Sequence, residues 1–394
     1  MIDIREKSFF KYLLFASLYF SEGLMWSIAS VIIIVYLVEE GLSTQLVTLV
    51  AGIIGLPWIL KFIWGPITDF FIKYGRKKII LIGGIVSALC LFIVFFVNPI
   101  DALLAFTVIL FISHVGVGFL DVSADAWAIE ISKKEERGKI NGGMFAGLFI
   151  GYAVGVSLFA YIAQTIGYKF TFLIGSIIVV IIILFPLFVK DIKKPKKRQK
   201  MTRILIGEFK KKSTLLIGLF SPLVFISIGM IMFAAPLYLK LVLKLEILQI
   251  GLISSLFPIM MIFGSIIGGI LTDCWGRKKV IYIFVGLSIV FSVSLIFANT
   301  WEVFGILFGI IGFLHGCYNS AIMALYMDIT NPKIGATQFS ILTSLANLGE
   351  IGVGNTLSGT FIHLLGFSRF FLYSGWVFGP ALLVLYFIRS KKFN

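Results

Sequence analysis

The chain is a succession of long apolar runs broken by short polar turns, and that alternation leaves few folds open to it. A helix needs roughly 20 predominantly apolar residues to cross a bilayer. Twelve runs approach or exceed that length, near 10–38, 44–71, 79–98, 102–131, 139–163, 169–189, 214–240, 247–272, 280–298, 301–329, 336–362 and 369–389. Backbone polar groups in lipid must be satisfied inside the protein, so the runs are read as transmembrane helices. Only 13% of the 394 residues are charged, against about 25% in a soluble domain.

The formal charge of +15 would suggest nucleic acid if it formed a face on a globular domain. Here the basic residues sit in short loops, so they report orientation instead, and no nucleic-acid partner is expected. Of the 34 Lys and Arg, Lys169, Lys240, Lys244 and Arg369 lie in loops on one side and Lys61 lies inside a span. All the others fall on the side that carries the termini. The positive-inside rule then places both termini in the cytoplasm of a multi-pass protein of the cell (cytoplasmic) membrane. Residues 1–38 do not read as a cleaved signal, because the apolar run is too long and further spans follow at once. Cys90, Cys274 and Cys317 stand at unrelated positions, so neither a disulfide framework nor a metal site is indicated, and no cofactor is expected.

The halves of the chain resemble each other. KFIWGPITDFFIKYGRKK at 61–78 is answered by GSIIGGILTDCWGRKK at 264–279. Each places an acid, Asp69 or Asp273, at a helix end before a Gly-Arg-Lys-Lys turn that holds Arg76 or Arg277. His114 answers to His315, Gly138 to Gly335, and Gly167-Tyr168 to Gly366-Phe367. The expected fold is therefore an all-α membrane protein of twelve transmembrane helices in two pseudo-symmetric six-helix bundles. Domain boundaries are set at 1–189, a basic cytoplasmic linker at 190–213, and 214–394. The linker carries eleven basic residues against Asp191 and Glu208. Its latter part reads equally as an amphipathic helix on the inner leaflet or as a solvated connection.

Ionisable groups inside a bilayer are costly, so each is a functional candidate. Spans 3, 6, 9 and 12 carry none apart from cysteine and tyrosine, as peripheral helices would. The others carry Glu22, Lys61, His114, Asp121, Asp125, His315 and Glu350, with Asn319 and Asn347 adding polarity. At ~1.5 Å per residue, Glu22, His114, Asp121, His315 and Glu350 each lie roughly 15–21 Å from a span end, near the middle of a ~30 Å core. These residues, Asp125 excepted, are the expected substrate and proton cavity. His114, Gly118, Asp121 and Asp125 share one helix face, and two carboxylates one turn apart need a proton or a cationic partner. The histidines read as proton relays or as packing residues bonded to a carbonyl. At the cytoplasmic ends, Asp69, Arg76, Asp125, Glu130, Arg137, Asp273, Arg277 and Asp328 are expected as gate ion pairs and caps, with Asp125 as a partner of Arg76.

The Asp…Gly-Arg-Lys-Lys junctions resemble the signature loop of the major facilitator superfamily. Within it, KFIWGPITD (61–69), LDVSADAWAIEISKKEERG (120–138) and MDITNPKIGATQFSILTSLANLG (327–349) are similar to the branch of muropeptide permeases and acetyl-coenzyme A transporters. The resemblance implies twelve helices in two bundles, alternating access and proton-linked solute movement. Lys61, Asp121, Asp125, Trp127 and Gly335–Phe339 occupy matching positions. The chain departs from the pattern at His114, where the superfamily has arginine, and at Phe149 and Glu350, where muropeptide permeases have arginines. An acidic cavity of Glu22, Asp121 and Glu350 against Lys61 suits a cationic, zwitterionic or neutral solute better than a large anion.

The expected function is a secondary active transporter of a small solute, proton-coupled and monomeric in the lipid bilayer, and not an enzyme. The absence of GxxxxGK[ST] argues against ATP drive. The alternative is a membrane-embedded transferase or a non-transporting sensor built on the same helices. Short outer loops and the lack of an added signalling domain argue against both.

Overall fold

In the computed structural model, residues 8–131, 137–190, 201–331 and 334–388 are described. The expected tails at 1–7 and 389–394 and the linker stretch 191–200 lie outside them. Among the described residues, ten helices are long and apolar enough to cross a membrane, and a bent pair makes eleven. The last helix, Thr337–Phe387, runs for 51 residues, roughly twice what a ~30 Å core needs at ~1.5 Å per residue. Gly366 breaks it with φ 72° and ψ 164°. The break divides this run into an eleventh and a twelfth span.

The spans are Phe9–Glu39, the bent pair Thr44–Ile59 and Lys61–Phe70, Arg76–Val94, Leu103–Ile131, Arg137–Ile166 and Tyr168–Phe188. After the linker helix Met201–Phe209 come Lys212–Leu241, Ile247–Trp275, Arg277–Phe297, Trp301–Ile329 and the two parts of the final run. Two stretches relax to π-helix, Ile28–Ile32 in the first span and Leu348–Asn355 in the eleventh. Such segments are uncommon and frequently mark functional sites.

The second span is not one straight rod. Pro57 cannot donate a backbone hydrogen bond and crowds the preceding turn, and the helix bends by 44° before restarting at Lys61. The Trp64 indole N–H donates to the Pro57 carbonyl at 2.8 Å, tying the two pieces across the bend.

The chain divides into two compact units. The first comprises Met1–Glu40, Ile53–Lys196 and Glu246–Ser255; the second comprises Gly41–Gly52, Lys197–Leu245 and Leu256–Asn394. The first turns of spans two and eight thus belong with the opposite unit from the rest of their helices. Within the second unit the Gly359 N–H donates to Thr48 Oγ1 at 3.1 Å. Within the first, Leu248 N–H donates to the Gln164 side chain at 3.0 Å.

Lipid gives no hydrophobic drive for helices to meet, so small residues that permit close approach set the pairings. In the first unit, Gly147 and Gly151 of the fifth span lie against the backbone of Ala16 and Phe20 on the first. In the second, Gly349 of the eleventh span meets Pro222 of the seventh, and Gly229 of the seventh meets the Glu350 backbone. The same helix pair is therefore made twice by the same device. The internal repeat is also visible in the turns. Gly75 has φ 90° and ψ 148°, and Gly276 has φ 87° and ψ 151°. That region is open essentially to glycine alone, so both Gly-Arg-Lys-Lys junctions adopt one backbone shape.

Candidate functional site

The restart of the second span at Lys61 places its ammonium group 2.6 Å from Asp121 Oδ2 on the fourth span. The Asp121 side chain is 1% exposed and that of Lys61 is 20% exposed. Such a pair holds only where geometry is good, because desolvating two charges costs several kcal/mol per ion. The Lys61 ammonium also lies 4.6 Å from the ring centre of Trp58, which stacks on Trp26 at 5.6 Å.

The first span completes the cluster. Tyr19 and Glu22 are one turn apart on one face. Glu22, 3% exposed, lies within electrostatic reach of Asp121, Lys61 and Asp125, and its Oε2 has no hydrogen-bond partner. The Tyr19 hydroxyl donates to Asp125 Oδ1. Asp125 therefore does not pair with Arg76 as expected from its sequence position; it turns into the carboxylate cluster. One lysine faces three carboxylates here, and one of the three is held by a tyrosine. Tyr19 was not singled out in the sequence, although its i, i+3 spacing from Glu22 is the signal that finds it.

Arg76, 1% exposed, instead donates to Asp69 Oδ1 at 2.6 Å and to Glu130 Oε1 at 3.0 Å. A guanidinium fork suits two acids at once. In the second unit Arg277 repeats the arrangement, reaching Asp328 at 3.1 Å and Asp273 at 3.3 Å. Asp69, Arg76, Glu130, Asp273, Arg277 and Asp328 are thus ion-paired with one another within their units. The Arg137 side chain lies outside the described residues.

The histidines sit differently in the two units. His114, 1% exposed, is bonded through Nδ1 to the Leu110 carbonyl of its own helix at 3.0 Å, and its Nε2 has no hydrogen-bond partner. His315 is hydrogen-bonded to the Tyr318 hydroxyl at 2.6 Å, with Phe225 and Phe257 at ring distances of 5.9 and 5.8 Å. Glu350, on the π-helical stretch, is partly buried, as are Asn347 and Asn319, whose Oδ1 is unpartnered. Asn355, fully buried, has no partner at either side-chain atom.

At the linker, Glu208 accepts from Asn331 Nδ2 at 2.7 Å and pairs with Lys211 at 2.6 Å. The hydrogen bonds from Lys211 and then Asn331 hold its carboxyl below the usual value. The linker helix is thus tied to the turn after the tenth span, a contact with no mark in the sequence.

Two compact units each carry an Asp–Arg junction, and the first holds the buried Lys61–Asp121 ion pair. The family model for the Major Facilitator Superfamily matches residues 15–228 and 215–394. The chain belongs to this superfamily. A curated relative, putative transporter AmpG 4 of Rickettsia conorii, is 25% identical over 387 residues, covering 91% of each chain. The anhydromuropeptide permease of Escherichia coli is 22% identical over 385 residues, covering 94% of this chain and 78% of its own. Among solved structures, a bacterial homolog of the human lysosomal transporter Spinster superposes with a TM-score of 0.81 at 12% identity, covering 98% and 97% of the two chains. The superfamily chain described here is a multi-pass membrane protein and a secondary transporter of small solutes, not an enzyme, and resembles the muropeptide permease branch.

Proposed function

We propose that this transporter works by alternating access and couples solute movement to protons, with Glu22, Lys61, Asp121 and Asp125 as the proton-handling group. The observation that carries this reading is the imbalance of three carboxylates, Glu22 and Asp121 buried and Asp125 half-buried, against one lysine. A carboxylate without a cation in a low-dielectric site is stable only when protonated or bound to a positive ligand. Release of Asp121 from Lys61 exchanges one of those states for another. The Arg76 and Arg277 junctions act as twin latches at the cytoplasmic ends, and both termini face the cytoplasm of the cell membrane. The protein works as a monomer in the bilayer. The relatives' names make anhydromuropeptides the first solutes to assay. The excess of carboxylate favours a cationic, zwitterionic or neutral solute.

The test is uptake into proteoliposomes under an imposed pH gradient, with a solute identified by thermal stabilisation of the purified protein. Asp121→Asn and Glu22→Gln should fold, and should lose gradient-driven uptake while retaining exchange. Normal gradient-driven transport by Asp121→Asn would overturn the assignment.

A further inference from the structure

We propose that the second unit carries a binding subsite for an ammonium group of the solute, built on Glu350 and Asn355 of the eleventh span beside the aromatic cluster of the tenth. The inference rests on the transporter reading above and assigns it a solute class.

The argument begins with charge balance inside that unit. In the first unit Lys61 offsets a carboxylate. In the second, no lysine or arginine occurs in the interior of the seventh, eighth, tenth or eleventh span. Glu350 has neither an ionic nor a hydrogen-bond partner among the described residues. It is partly buried on a span that crosses the membrane. Burying a charge is costly unless it is paired, so Glu350 is balanced by a proton or by a cation supplied from outside the chain.

Local structure supplies the second acceptor. Residues five apart in an α-helix point about 140° from one another, since the helix turns once per 3.6 residues. The wider turn of a π-helix, closed i→i+5, narrows that angle so that such residues share one side. Leu348–Asn355 is π-helical, and so Asn355 is carried round towards the face of Glu350. Asn355 is fully buried, and neither its Oδ1 nor its Nδ2 finds a partner. A buried amide left unpaired in the free protein is what a ligand-binding group looks like.

The surroundings favour an ammonium group over a bare metal ion. Glu350 acts electrostatically on the Tyr318 hydroxyl, and Tyr318 is hydrogen-bonded to His315. Phe225 and Phe257 lie against the same imidazole. Phe225 is one turn before Gly229, which lies against the Glu350 backbone. A carboxylate and an amide oxygen beside aromatic rings suit an alkylated ammonium, which gains from ring faces as well as from charge. A sodium ion prefers a shell of oxygens, and Phe225 and Phe257 offer none.

The experiment measures thermal stabilisation and affinity of the purified full-length protein with choline, tetraethylammonium and phenethylamine. The neutral isostere 3,3-dimethylbutanol and sodium chloride are the comparison arms, at constant ionic strength. At least one ammonium compound should stabilise the parent protein, and the neutral isostere should not. Glu350→Gln should weaken its binding by about tenfold to hundredfold, the value of a charge-assisted contact, and Glu350→Asp should recover part of the loss. If Glu350→Gln does not fold, Asn355→Ala takes its place, with a loss of about tenfold expected. Three results would overturn the proposal. They are no response of the parent protein to any of the three ammonium compounds, undiminished binding by a folded Glu350→Gln, or a Glu350-dependent response to sodium alone. Any of these with Asp121-dependent, gradient-driven uptake intact removes the subsite and leaves the proton-coupling reading standing.

Discussion

Replacing Lys61 by methionine tests the heart of the first unit most directly. The substitution keeps the aliphatic stem and removes the ammonium, which leaves Asp121, 1% exposed, without its ion pair. Breaking a buried pair from one side costs about 3–5 kcal/mol, most of it the uncompensated charge. The Lys61 side chain is 20% exposed, so water tempers the loss and the lower figure, about 3 kcal/mol, is expected. The neighbouring carboxylates of Glu22 and Asp125 act in the opposite sense, because they add repulsion once the lysine is gone. Removing both partners, as Lys61→Met with Asp121→Asn, should cost less than the sum of the single changes. The coupling energy should be about 2–3 kcal/mol. Reversible unfolding in mixed detergent micelles, followed by circular dichroism on all four proteins of the cycle, gives that number. Additive single effects, or a Lys61→Met penalty under about 1 kcal/mol, would show that the pair is solvated and that the cluster is not the buried device described here.

Other outcomes follow from the same structure. Asp69→Asn and Asp273→Asn each remove one acid from an arginine latch, so they should change the inward-to-outward balance more than solute affinity. Unchanged cysteine accessibility on both membrane sides would refute this. Gly229→Ala places a methyl group against the Glu350 backbone and should destabilise the protein by about 1–3 kcal/mol, measured as a lower melting temperature with weakened solute binding. The Glu208 carboxyl is held low by Lys211 and Asn331, so its tether is fully present above the ordinary carboxylate range and is lost as pH falls through the folded value. Amide exchange in Met201–Lys211 should therefore rise as pH falls below the ordinary carboxylate range, relative to neighbouring spans, and Glu208→Gln should abolish that dependence. Exchange that is flat with pH in the parent protein would refute the tether.

Hydropathy made the spans legible, because lipid penalises polar backbone and side chains wherever they lack partners. The split between the last two spans was legible too: the apolar runs part between 362 and 369, and Gly366, matched to Gly167, marks the break. The bend after Pro57 was not, since proline in a membrane helix is tolerated in many geometries. The 44° turn depends on how the helix packs and on the Trp64 bond across the gap. The Asp–Arg junctions were readable because donor and acceptors repeat at fixed offsets. Asp125 was misassigned for a physical reason: closeness to a loop along the chain says less than the helix face on which a residue sits. That face carries it to Tyr19, 106 residues away in sequence. The exchanged first turns of spans two and eight join segments such as Thr48 and Gly359, which carry no shared signal in a single sequence.

The joint at Leu60 has a mechanical meaning. Lys61 is the first residue beyond it, so the tilt of the inner rod and the reach of the ammonium towards Asp121 are one variable. An ion pair at 2.6 Å weakens quickly as its charges separate, because its attraction falls with distance. Straightening the rod would therefore uncouple the charges without any side chain changing rotamer, and the shape of a proline-broken helix would be written directly into the charge state of its neighbour.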